Sequence, residues 1–280
     1  MKESVAGIAI PIETEAVLVR RILGRNPGPM TGSGTNSYLI GEKRLSLVDP
    51  GPADAVQLQS FLQAIGDAKL ENILITHTHG DHSPGALALQ EATGARLVGL
   101  KAPDVAGHDK TFAPEKLWRE EEVIDCGEYS VQLIATPGHV SNHICFLIRE
   151  EQLLFTGDHV LQGTTSVILP PDGDMAAYLA ALQKLLLIPL KALAPGHGAV
   201  MTGPHFEIEK LIAHRLKREQ KVLSGLKTLG AVNLDELVLT VYDDVAKQLI
   251  PWAKRTLLAH LLKLQQEGRI SCDNDLWQIQ

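Results

Sequence analysis

The chain has 280 residues, 45% apolar and 21% charged, enough to bury the core of one large domain or of a large and a small one. A formal net charge of -7 excludes a molecule that binds nucleic acid by overall basicity, and three cysteines without C-x-x-C spacing exclude a disulfide framework. No apolar run reaches membrane-spanning length and no basic-then-apolar leader opens the chain, so a cytoplasmic protein with no membrane partner is expected.

In chain order, residues 5–23 and 36–49 alternate or cluster β-branched and aliphatic side chains and predict strands of an N-terminal sheet. Between them the Gly- and Pro-rich stretch Gly24 to Gly34 forbids helix and predicts a long surface loop. Residues 53–66 carry a helical apolar stripe ended by Gly66, and a second helix is expected from Ser83 or Pro84 to Thr93, closed by Gly94. Ile73-Leu74-Ile75 and Arg96 to Leu100 read as strands, so strand and helix alternate as in a layered α/β domain.

Residues 101–122 are polar and irregular, with Phe112 and Trp118 as expected anchors. Val123 to Ala135 reads as two strands about Gly127-Glu128, and Ile144–Ile148 with Gln152–Phe155 as a hairpin about Arg149-Glu150-Glu151. An amphipathic helix over 174–187 and an apolar run at Ala192-Leu193-Ala194 follow. Helices are then predicted over 206–229, near 234–241 and over 252–267. A terminal hairpin about an Asp-Asn turn completes a winged-helix-like segment.

Four apolar strands end in Gly-containing turns that hold His or Asp, at 76–82, 138–139, 157–158 and 196–197. The first, Thr76-His77-Thr78-His79-Gly80-Asp81-His82, packs three imidazoles and a carboxylate into one turn. Such a set has no packing role and suits a divalent zinc, iron or manganese ion.

Together these residues resemble the metallo-β-lactamase superfamily from about residue 16 to 204: H-x-H-x-D-H at His77, His79, Asp81 and His82, T-P-G-H at His139, G-D at Asp158 and P-G-H-G at His197. Asp49-Pro50-Gly51 matches the family's early D-x-G element. The resemblance implies an αββα sandwich over residues 1–204, followed by a small winged-helix-like domain over 205–280. It also implies a two-metal site, with zinc favoured and manganese or iron compatible. His77, His79 and His139 would hold one ion, Asp81, His82 and His197 the second, and Asp158 would bridge. Two cations sharing a water lower its pKa from 15.7 towards roughly 7, which supplies hydroxide for hydrolysis, and Asp81 is the candidate catalytic residue that orients it.

Asn36 as a pocket residue, His143 as support for a ligand, and Arg215 and Arg218 facing an anionic substrate are further candidates. His159 is expected to be structural, while His108 and His205 have no evident partner. Asp158 stands where true class B β-lactamases use Cys, the second half of the signature lacks the Glu of di-iron relatives, and the 38 residues between Asp158 and His197 leave no room for a nuclease cap domain.

The further resemblance is to the β-lactamase-like protein 2 family, whose core is similar to glyoxalase II. It is carried by Asn26-Pro27-Gly28-Pro29, Gly34 to Leu39, the run Thr76 to Ala86, and His214-Arg215 with Arg218-Glu219. It implies either a phosphodiesterase or endoribonuclease on single-stranded RNA, or a hydrolase of small thioesters, esters or lactones. A nucleic-acid-binding regulator is a third reading, and a homodimer is compatible with all three. Residues 205–280 carry 11 Lys/Arg against 10 Asp/Glu, a thin footprint for a phosphate backbone.

Overall fold

The computed structural model describes residues 5–280. Strands β1 (Ala9–Pro11), β2 (Val19–Leu23), β3 (Asn36–Ile40) and β4 (Arg44–Val48) pair antiparallel in succession. Helix α1 (Ala55–Ile65) then crosses to β5 (Lys69–Leu74), and α2 (Gly85–Thr93) to β6 (Arg96–Val98); both strands add in parallel, giving the order β1-β2-β3-β4-β5-β6. The second sheet has the order β11-β10-β9-β8-β7, from β7 (Val123–Asp125), β8 (Ser130–Ala135), β9 (Ile144–Ile148), β10 (Leu153–Gly157) and β11 (Ala192–Pro195). Only β10 and β11 pair in parallel there.

The period-two rule explains why these strands read as continuous apolar runs. In β3, Tyr38 and Ile40 join one core while Leu39 between them joins another. In β5 and β6, Leu74 and Val98 likewise face the first core and Ile73 and Leu97 the second. The first core lies between the two sheets, where it meets Val131, Leu133, Phe146 and Phe155. The second is covered by Phe61 and Ile65 of α1 and Ala86 and Leu89 of α2. Each such side chain buries an area worth about 1.5–3 kcal/mol, so a one-residue slip in a strand would exchange both faces at once.

Local signals set the helix ends. Asp54 caps α1 by accepting from the Gln57 backbone N–H at 2.7 Å, and Gly94 closes α2 in the left-handed region with φ of 71°. Phe112 and Trp118 are buried as anchors, the Trp118 Nε1–H donating to the Leu97 carbonyl.

The chain forms two compact units, each described on its own terms. The first holds the described residues through Thr136, together with Asn142–Ser166 and Ile188–His205. The second is Pro137–Ser141, Val167–Leu187 and Phe206–Gln280. Most of the second is α3 (Met175–Leu185), α4 (Pro204–Leu229), α5 (Leu234–Val241), α6 (Ile250–Gln266) and the hairpin β12 (Ile270–Asp273) with β13 (Leu276–Ile279). Val222, Leu237, Leu257, Leu261 and Trp277 share a core there. The hairpin turns at Asn274 and Asp275, with φ of 48° and 62°, the residue types that tolerate that region at least cost. No helix among the described residues is long and apolar enough to cross a membrane.

Candidate metal centre

Six of the seven candidate ligands lie in the first unit, and all six sit where a strand runs out. β5 ends at Leu74, and the backbone turns with Ile75 still bonded to Val98. From there the loop is tied to Asp49, at the end of β4. The Asp49 carboxylate is buried and accepts from Thr76 N–H at 2.8 Å, from Thr76 Oγ1–H at 2.7 Å and from His82 Nδ1–H at 2.8 Å. Asp49 itself adopts φ of 45°, an uncommon conformation that this network over-determines.

These bonds fix proton positions. The Thr76 hydroxyl gives its proton to Asp49, so at 3.1 Å it accepts from His77 Nδ1–H, and the His77 lone pair is at Nε2. His82 donates from Nδ1 to a carboxylate, and His197 donates from Nδ1 to the Gly34 carbonyl at 3.2 Å; in their neutral forms both therefore carry the lone pair at Nε2. Those two nitrogens face the same two carboxylate oxygens. His82 Nε2 is 3.6 Å from Asp81 Oδ2 and 3.3 Å from Asp158 Oδ1; His197 Nε2 is 3.2 Å and 3.4 Å from the same atoms.

Lone pairs aimed at carboxylate oxygens repel unless a cation lies between them. Ligands about 2.0–2.2 Å from a tetrahedral ion are separated from one another by about 3.3–3.6 Å, and the four separations above cluster at that edge length. His77 Nε2 and His79 Nδ1, 3.1 Å apart, are close to it as well. The donor set, neutral nitrogen with carboxylate, and its spacing fit a divalent metal.

Protonation reveals the same demand for positive charge. Burial lowers the pKa of His82, but the carboxylates of Asp81, Asp158 and Asp49 overcome it and hold the imidazole well above its ordinary range. Burial also lowers His197, which the Asp81 hydrogen bond and the Asp158 charge raise on balance. Burial pushes Asp81 up, yet the His82 charge and the His197 hydrogen bond bring it down to about 2.

Glycine makes the approach of Asp158 feasible. A bulge between Phe155 and Gly157 breaks the β10–β11 register, and Gly157 takes φ of 46°. A Cβ there would stand 2.5 Å from Thr76 Oγ1 and 2.8 Å from His143 Nε2. His143 Nε2 accepts the Asp158 backbone N–H at 3.2 Å, and its Nδ1–H donates to Thr136 Oγ1 at 2.8 Å. That buried histidine stacks on His77 with ring centroids 5.2 Å apart, so it supports ligands on both sides.

Asn36 is buried; its side-chain amide donates to the carbonyls of Pro195 and Gly198, at 3.0 Å and 2.8 Å. It clamps the turn that carries His197. The Gly-rich loop serves the same end, since Thr35 Oγ1 donates to the Asp81 carbonyl at 2.9 Å. His159 is buried beside His143, with centroids 5.6 Å apart. His205 Nε2 donates to the Ile188 carbonyl.

His139 belongs to the second unit, where its Nδ1–H donates to the Val167 carbonyl at 2.5 Å and leaves Nε2 as the lone-pair atom. Gly138 before it admits no side chain, since a Cβ would fall 2.3 Å from the Tyr178 Cα. Arg215 is buried with its guanidinium 5.4 Å from the Tyr178 ring centroid. Arg218 bonds the Val241 carbonyl and Asp244 and lies 4.2 Å over the Tyr242 ring. Within their own unit both arginines make interior contacts.

Two features were not singled out by sequence. Asp49 bonds His82 directly and His77 through Thr76, a role signalled only by the D-P-G match. The polar segment 101–122 docks on the signature loop: Asp109 N–H donates to the Thr78 carbonyl and Ser83 Oγ–H to Asp109 Oδ2, both at 2.7 Å, while His108 Nδ1 pairs with Thr78 Oγ1 at 2.8 Å.

A family model described as the metallo-β-lactamase superfamily matches residues 30–197, a span that contains all seven candidate ligands. The chain belongs to the metallo-β-lactamase superfamily. It is thus a metal-dependent hydrolase of the metallo-β-lactamase type. A second model, the β-lactamase associated winged helix domain, matches residues 234–277, so α5, α6 and the terminal hairpin belong to a winged-helix domain. The chain is 34% identical over 269 residues to the β-lactamase-like protein 2 homolog of Drosophila melanogaster, covering 90% of this chain and 89% of that one. It is 31% identical over 274 residues to the atrochrysone carboxyl ACP thioesterase of Aspergillus fumigatus, covering 89% and 82%. Among solved metallo-β-lactamase folds, a β-lactamase domain protein from Burkholderia ambifaria superposes with a TM-score of 0.83 at 17% identity, covering 100% of this chain and 96% of that one.

Proposed function

We propose that this metallo-β-lactamase-fold protein is a binuclear, zinc-loaded thioester hydrolase. In this reading His77, His79 and His139 would hold one ion, Asp81, His82 and His197 would hold the other, and Asp158 would serve as a ligand beside them. A catalytic module over 1–204 is followed by the winged-helix module over 205–280. The observation that carries it is the convergence of the His82 and His197 lone pairs on the Asp81 and Asp158 oxygens at 3.2–3.6 Å.

Bound there, divalent ions supply Lewis-acid polarisation of the scissile carbonyl and a lowered pKa for water. The chain's own groups do the positioning. Asp49 and Gly34 hold His82 and His197 in the tautomer that directs Nε2 inward. His143 fixes the backbone of Asp158. The Asp81 side chain is 28% exposed where Asp158 is 13% and His82 fully buried, so Asp81 offers the open oxygen of the set. Held ionised well below neutral pH, it accepts a hydrogen bond and orients the attacking O–H rather than storing its proton. Attack at the acyl carbon breaks the C–S bond, and the thiol departs with a proton from water.

Two observations favour a thioester over RNA. The A. fumigatus relative carries a thioesterase name. Of the three cations of α6, Lys254 pairs with Asp235 at 2.5 Å and Lys263 with Glu219 at 2.6 Å, which leaves exposed Arg255, 5.9 Å from the Trp252 ring centroid, as a thin footprint for a phosphate backbone. The test is a panel of lactoylglutathione, a lactone, bis(p-nitrophenyl) phosphate and single-stranded RNA on zinc-loaded protein. Thioester cleavage that chelator abolishes and zinc restores is expected, with RNA intact. RNA cleavage without thioesterase activity would overturn the assignment in favour of a phosphodiesterase.

A further inference from the structure

The polar segment 101–122 brings one imidazole to the metal centre that the ligand set does not use. His108 pairs with His79 in an isolated antiparallel backbone bridge, and the two rings lie 5.0 Å apart between centroids at 36°. Both histidines are half-buried and so partly open to solvent. The next residue holds the backbone of His108 in place. Asp109 N–H donates to the Thr78 carbonyl at 2.7 Å, and the Asp109 carboxylate accepts from Ser83 Oγ–H at 2.7 Å and from Thr111 N–H at 2.8 Å.

A proton count sets the tautomer of His108. Thr78 is fully buried, and among the described residues its hydroxyl meets Asn142 and His108 alone, each at 2.8 Å. The Asn142 group that faces it also faces the carbonyls of Leu100 and Lys101, so it is the NH2 and can only donate. The Thr78 proton therefore goes to His108 Nδ1. The neutral ring then carries its own proton at Nε2, on the side turned away from buried Thr78.

We propose that His108 is an oxyanion donor, its Nε2–H donating to the acyl oxygen of the substrate and binding it more strongly as water adds to the carbonyl carbon and charge builds on that oxygen. The identity of that oxygen rests on the thioesterase reading above. A neutral N–H suits the role because it transfers no proton, and because the ring is fixed through Nδ1 and through the backbone before substrate arrives. The plain alternative is a latch, in which His108 does no more than tie segment 101–122 to the signature loop through Thr78.

Two substitutions separate donor from latch. His108→Asn puts an amide oxygen near the place of Nδ1, where it still accepts from Thr78, and puts nothing at the place of Nε2. His108→Gln puts an amide nitrogen near the place of Nε2 and gives up the Nδ1 acceptor. In full-length zinc-loaded protein, His108→Asn should keep the zinc content and melting temperature of wild type while kcat on the thioester falls about 10²-fold at unchanged KM. His108→Gln should recover part of that kcat. The tautomer is read without turnover, from the imidazole nitrogen NMR shifts of wild type, with the His108 signals identified by their loss in His108→Asn; Nε2 should be protonated and Nδ1 bare. Wild-type kcat in His108→Asn, a fall in its zinc content or melting temperature that accounts for the lost activity, or a proton on Nδ1 would each overturn the proposal. If the panel yields a lactone or a phosphodiester in place of the thioester, the thioesterase reading falls, and the same comparison on that substrate still decides whether His108 is the donor.

Discussion

Replacing Asp49 by Asn changes no volume and removes one charge from the centre of the ligand network. Asp49 Oδ1 accepts from Thr76 N–H, and Oδ2 accepts from both Thr76 Oγ1–H and His82 Nδ1–H. An asparagine can match only part of this. With its oxygen toward Thr76 N–H, its NH2 faces His82 Nδ1, and the imidazole must move its proton to Nε2, where the metal lone pair belongs. With the amide reversed, NH2 meets the Thr76 N–H and a buried donor is stranded, at about 1–3 kcal/mol. Loss of an outer partner of a metal-binding histidine costs about 10–100-fold in metal affinity, roughly 1.4–2.8 kcal/mol. Competition of apo protein against a zinc chelator should therefore show Asp49→Asn weaker by that factor, with near-normal far-UV circular dichroism. Wild-type zinc affinity in Asp49→Asn would refute the tautomer argument.

Stability of the metal-free protein should fall as pH rises. His82 and His197 have folded pKa values above their unfolded value of 6.5, so their contribution is complete below 6.5 and is lost as pH climbs through the raised values. Asp81, lowered from 3.8 to about 2, contributes above 3.8 and loses that contribution only as pH falls through about 2. Melting temperatures of apo protein should thus decline as pH rises above the unfolded value of about 6.5, whereas zinc, which competes with those protons, should stabilise more at the higher pH; a flat apo profile would contradict the network. Arg218→Met should destabilise by about 1–3 kcal/mol through loss of the bonds to Val241 and Asp244. Denaturant melts check this, and unchanged stability with impaired kcat would instead make Arg218 a substrate contact.

The candidate ligand positions stood out because each lies in a Gly-containing turn at the end of an apolar run, a local signal. The two faces of β3 were legible only as a continuous apolar run, since a strand buried on both sides hides its period. Asp49 was harder, because its role depends on Thr76 and His82, 27 and 33 positions away. By sequence Glu151 is one charged residue of a hairpin turn. It is buried, and its carboxylate accepts the backbone N–H groups of Glu15, Ala16 and Val17, donors more than 130 positions distant. Arg218 drew attention as a possible anion contact because sequence shows a charge without its neighbours, and Tyr242 and Asp244 supply them only after α5 folds back. Long-range polar partnerships carry no periodicity, so pattern reading misses them.

The central claim is that the His and Asp side chains gathered at the strand ends bind metal for hydrolysis. Metal content by mass spectrometry, measured with hydrolytic activity on wild type, His79→Ala and Asp158→Ala, tests it most directly. The wild type should carry about two divalent ions per chain, His79→Ala and Asp158→Ala should lose metal and activity together, and added zinc should not restore them. Full activity in Asp158→Ala without bound metal would contradict the account.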